Sequence, residues 1–134
     1  MVAERVTRPH PQQIDPEEVL TLVKSSHGEK KKEIESLLTA YRQAIESAEP
    51  DTMYHLGTAF YFKGFYAEAR ELFYQTASTG TEHHQAYNFL TITELALNNP
   101  DEAVHSGKRA VSMRPRFADY RNNYGEALLA VDDF

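Results

Sequence analysis

Laid on itself at an offset of 34 residues, the chain keeps its pattern: Leu56 falls on Leu90 and then Tyr124, Gly57 on Thr91 and Gly125, Glu68-Ala69 on Glu102-Ala103, and Thr76 on Ala110, with Pro115 closing the second period. A fixed period of this length marks a stack of small helical units, each unable to bury its apolar face without its neighbours. The expected fold class is all-α. No alternation of period two supports a strand, and the short spacers between helical stretches imply antiparallel neighbours.

Punctuation places the helices. Residues 1–14, with Arg8-Pro9-His10-Pro11, are a proline-spaced polar segment that favours an extended tail. A helix is expected from Asp15, a good N-cap followed by Pro16 and two acids, with Gly28 as its stop. From Glu29 to about Ser47, Ile34, Leu37, Leu38, Tyr41, Ala44, Ile45 and Ala48 recur at three- and four-residue steps, so residues 15–49 read as an N-terminal helical cap or degenerate repeat. The array proper is expected over 50–134, in units 50–83 and 84–117 and a partial unit 118–134. Its helices are predicted at about 51–63, 66–79, 84–97, 100–112 and 117–131, broken at Gly64, Thr79-Gly80, Asn98-Asn99-Pro100 and Arg114-Pro115.

The first unit reads Leu56-Gly57, Phe60, Gly64-Phe65-Tyr66, Glu68-Ala69 and Phe73; the second keeps Leu90, Asn98, Pro100, Glu102-Ala103, Ala110 and Pro115, but carries Thr91, Glu94 and Gly107 where a small residue and two aromatics stand in the pattern. This resembles the tetratricopeptide repeat family, whose unit is a pair of antiparallel helices. The resemblance implies a right-handed α-solenoid of helix hairpins, with about two full repeats. Gly57 and Ala69 are then expected at the crossing of one hairpin, Thr91 to widen the corresponding crossing, and Leu56, Phe60, Tyr66 and Phe73 to be core. The third unit begins at Tyr124-Gly125 and stops where its second helix is due, so the chain reads as a fragment with an apolar stripe of Tyr124, Leu128, Leu129 and Val131 that could self-associate.

Chemistry is hard to find. The 41% of hydrophobic residues is ample for a core, and the net charge of −6 is interspersed, which suits neither a phosphate backbone nor nucleic acid in general. With no cysteine there is no disulfide framework or thiolate metal site, and the histidines form no i, i+4 pair, so no metal or cofactor is expected. No stretch approaches a membrane span or a signal peptide, and a cytoplasmic protein is expected. The carboxylates Glu68, Glu71, Asp101 and Glu102 are read as helix starts or exposed faces, without the buried pair an acid-base enzyme would need. The chain is expected not to be an enzyme.

The resemblance implies that the first helix of each unit lines a concave surface. Its peptide-binding residues are then Tyr54, His55, Thr58, Tyr61 and Phe62 in the first unit, Asn88, Phe89, Ile92 and Leu95 in the second, and Asn122, Asn123 and Glu126 in the third. Aromatic anchors among amides suit an apolar or amphipathic peptide. The subclass that grips the C-terminal carboxylate of heat-shock chaperones places Lys, Arg and Asn where this chain has Tyr54, Thr58, Phe89, Asp119 and Asn123, so that clamp is missing. The expected role is a protein-protein interaction scaffold holding a peptide or helix of a protein partner. The alternatives are a chaperone resembling the type III secretion class, the N-terminal regulatory segment of an enzyme, and a self-assembling repeat joined through its last helix or its N-terminal tail.

Overall fold

A computed structural model describes residues 28–132, with side chains described from Lys31 onward. It is all-helical over that range. The helices are α1 (Gly28–Ser47), α2 (Pro50–Phe62), α3 (Tyr66–Ser78), α4 (His84–Ala96), α5 (Pro100–Met113) and α6 (Ala118–Asp132), and consecutive helices pack on one another. The first helices of the units begin at Pro50, His84 and Ala118, each 34 residues after the last, and the second helices at Tyr66 and Pro100 keep the same step. The expected tail, the helix from Asp15 and the last two residues lie outside the described residues.

Helix α1 begins at Gly28, and the preceding helix that Gly28 was expected to stop lies outside the described residues. One expectation near the N-terminus needs correction. Ala48, placed by periodicity on the buried face of α1, is instead exposed and past its end, with φ of 54°. Its amide still donates to the Ala44 carbonyl at 3.0 Å, so the chain leaves α1 through a left-handed residue that would suit glycine better.

The end of α2 shows why the breaks fall where they do. Gly64 takes φ of 86°, its amide donates to the Tyr61 carbonyl at 3.0 Å, and the Phe65 amide donates to the Phe60 carbonyl at 2.9 Å. That pair of bonds is a Schellman cap, and the Phe65 ring meets the Phe60 ring edge-on at 6.1 Å to supply its usual apolar contact. One period later the same bonds recur with Asn98 at φ of 61°: Asn98 to Leu95 at 3.0 Å and Asn99 to Glu94 at 2.8 Å. Here the apolar contact is replaced by a hydrogen bond, donated by Asn99 Nδ2 to Glu94 Oε1 at 3.0 Å.

The core of the first unit gathers Met53, Phe60, Ala69, Leu72 and Phe73 with Tyr41 and Ala44 of α1 and Leu90 of α4. Leu56 and Tyr66, expected as core, are half-buried. Gly57 is buried where α2 crosses α3: a methyl group there would lie 2.7 Å from Phe73 Cε1. In the second unit Thr91 is fully buried, yet α4 and α5 pack as extensively as α2 and α3. At Gly107, the counterpart of Phe73, the next helix comes close: a methyl group there would lie 2.9 Å from Cδ1 and 3.2 Å from Cα of Tyr124 in α6.

Burial of charge corrects a further expectation. Glu71, expected at an exposed position, is buried, as is Glu94. Glu94 accepts from the Tyr74 hydroxyl at 2.8 Å and from Asn99, with the Arg70 guanidinium 3.8 Å away, so the carboxylate links α3, α4 and the following loop. Buried carboxylates persist only with such partners. Buried Thr76, Thr91 and Thr93 satisfy their hydroxyls on the carbonyls of Leu72, Tyr87 and Phe89, four residues back.

Candidate functional site

The matched faces of α2, α4 and α6 come together through side-chain contacts. Phe89 of α4 is the hub. Its ring stacks on Phe73 at 5.2 Å and meets Tyr54, Tyr61 and Phe62 of α2 edge-on at 5.8, 5.7 and 6.2 Å. Between α4 and α6, Asn123 Nδ2 donates to Asn88 Oδ1 at 2.9 Å. His55 packs against Tyr54 at 5.3 Å and gives its carbonyl to the Thr58 hydroxyl at 2.7 Å.

None of the twelve residues named from the sequence is buried. Phe62, at 76% exposed, projects furthest, with His55, Asn122 and Glu126 also exposed. Tyr54, Thr58, Tyr61, Asn88, Phe89, Ile92, Leu95 and Asn123 are half-buried and form the floor between helices. Burial raises the Tyr54 hydroxyl above its ordinary value, and burial followed by the neighbouring Tyr66 does the same for Tyr61, so both stay neutral donors at physiological pH.

At the N-terminal rim the structure adds residues that were not among the expected peptide-binding positions. His83 caps α4: its Nδ1 accepts from the Ala86 amide at 3.3 Å, which leaves the proton of the neutral ring on Nε2, 3.5 Å from Asp51 Oδ1. Its ring lies 4.8 Å from Tyr54. His84 Nδ1 lies 2.6 Å from the Tyr120 hydroxyl, with Phe117 packed against both rings. Burial, then the charges of Arg114 and His83, depress the His84 imidazole below its ordinary value of 6.5. Tyr120 is raised, first by burial and then by Tyr54, against a smaller opposite effect of Arg114. Histidine is an uncommon helix cap, so no sequence rule pointed to His83.

Among the described residues no group of three His, Asp or Glu side chains is placed to hold a metal ion, and no helix is long and apolar enough to cross a membrane. What the shared face offers is a set of aromatic edges beside amide donors and acceptors, suited to packing and hydrogen bonding with an extended or helical segment. Compared with protein-family models and with curated proteins, the chain finds no match.

Proposed function

We propose that this chain is a cytoplasmic protein-protein interaction scaffold, a tetratricopeptide-like solenoid that binds a peptide or helix of a partner protein on the face shared by α2, α4 and α6. The observation that carries the reading is the contrast between two phenylalanines of α2: Phe60 is buried, while Phe62, two residues on, stands 76% exposed on the Phe89 cluster. A large aromatic held out on a rigid base is the usual form of an interface anchor. The 34-residue step of the helix starts supports the solenoid.

The test is selection of binding peptides from a random display library on the immobilised chain, followed by mapping of the tightest binders by amide chemical shifts. Shifts are expected at Tyr54, His55, Phe62, Phe89 and Asn123. Phe62→Ala should weaken every such peptide by about tenfold or more, as truncation of a central aromatic anchor does, with helical content unchanged. Shifts confined to another surface, or affinities indifferent to Phe62→Ala, would remove this face from consideration. A second reading, self-association through α6, is favoured by the exposure of Leu128 and Leu129. Light scattering across a wide concentration range separates the two: a strictly monomeric chain rules out assembly.

A further inference from the structure

The residues of the shared face are not mixed at random but graded along the helices. At the N-terminal end the aligned positions of α2, α4 and α6 hold Asp51, Gln85 and Asp119; at the C-terminal end they hold Tyr61, Leu95 and Leu129, then Phe62, Ala96 and Ala130. Asp51 and Asp119 are exposed, as is Glu126 midway along α6. Leu129 is 71% exposed beside the apolar end, as Phe62 is. No lysine or arginine occupies any aligned position of the face. Of the cations near its two ends, Arg114 donates to the Met113 carbonyl, Arg121 donates to the Pro115 carbonyl, and Lys63, past the apolar end, pairs with Glu33.

Resting on the reading just given, we propose that the partner segment is itself graded: an apolar block that seats on Phe62, Leu95 and Leu129, followed by a block of lysine or arginine that meets Asp51, Asp119 and Glu126. The distance sets its length. Eleven helical residues separate Asp51 from Phe62, about 16 Å along the axis, which an extended strand covers in roughly five residues and a helix in roughly eleven. Charge complementarity decides the chemistry. An acidic block would place like charges in contact, while a basic one gains three exposed pairs, each worth a factor of about two to three at low salt.

Three synthetic peptides test this against the full chain: a common Leu-Phe block joined to a block of Lys, of Glu or of Ser. At low salt the Lys peptide is expected to bind about tenfold tighter than the Ser peptide and the Glu peptide more weakly still, with the difference shrinking as salt screens the pairs. The triple variant Asp51→Asn, Asp119→Asn, Glu126→Gln should bind Lys and Ser peptides alike. Glu35→Gln, Glu46→Gln, Glu49→Gln, which removes as much charge elsewhere, should leave the preference intact. Circular dichroism verifies that both variants keep the fold. Lys and Glu peptides binding equally, both weakened by Phe62→Ala, would overturn the graded partner and leave the docking face standing. A Lys preference that survives the triple variant also overturns it, and no binding of any peptide overturns both readings.

Discussion

Gly57 and Gly125 occupy the same position two periods apart, yet alanine should act on them in opposite directions. In a helix interior Gly→Ala is favourable by about 0.8–1 kcal/mol through backbone entropy alone. Nothing lies within 4 Å of a methyl group at Gly125, so the whole gain should appear there. At Gly57 the methyl would meet Phe73 Cε1 at 2.7 Å and Cδ1 at 3.0 Å. Phe73 is fully buried, stacked on Phe89 and touched by Tyr54, so its ring has nowhere to swing. Overpacking of this kind costs about 1–3 kcal/mol, which outweighs the backbone gain and leaves Gly57→Ala destabilising by about 1 kcal/mol. Urea denaturation followed by circular dichroism should move the two midpoints apart at unchanged m, equivalent to about 3–5 °C in Tm each way. Phe73→Leu provides the control: combined with Gly57→Ala it should cost about 1 kcal/mol less than alone. Equal shifts of the same sign for Gly57→Ala and Gly125→Ala would refute the close crossing of α2 and α3.

Glu94→Ala should destabilise by about 2–3 kcal/mol, because it strips the Asn99 amide of a buried acceptor and leaves the Tyr74 hydroxyl to its longer bond with Glu102 at 3.2 Å, and Tyr74→Phe by about 1 kcal/mol; denaturant midpoints measure both. Glu94→Phe combined with Asn99→Phe rebuilds the Phe60–Phe65 contact of the preceding cap, so a double-mutant cycle should show the pair more stable than the sum of the singles by about 1 kcal/mol. Ala48→Gly should stabilise by about 0.5–1 kcal/mol, since a left-handed alanine is strained and the exposed site makes no demand on its side chain. For His84 the sign follows from the lowered folded value: between that value and 6.5 the unfolded chain binds more protons, so its contribution is present above pH 6.5 and is lost as pH falls through the folded value. Denaturation midpoints over this range should therefore fall more steeply for the native chain than for His84→Gln; identical slopes would show that His84 does not titrate differently on folding.

The helices were legible because their ends rest on local rules, and three of the breaks fall at Gly64, at Gly80 and at Asn98 with Pro100, residues whose backbone preferences act without tertiary help. Phe60 and Phe73 were legible as core through the repeat pattern, and both are buried. What one sequence read singly cannot disclose is a pair of compensating changes. Thr91, Glu94 and Gly107 each look like a lapse from the pattern. Taken with their neighbours in space two of them are matched: the bare position at Gly107 admits Tyr124 of the next helix, and the aromatic pair Phe60 and Phe65 becomes the hydrogen-bonded pair Glu94 and Asn99. A core packed near crystal density allows such exchanges only in concert, because a lone change leaves either a void or an unsatisfied group. The same logic separates the faces. Positions that look inward are matched to a partner across the crossing, whereas Phe62 touches its neighbours along one side and leaves most of its ring exposed. Under the proposed reading that exposed side is what a partner meets, and it is there that Phe62→Ala and the graded peptides apply their pressure.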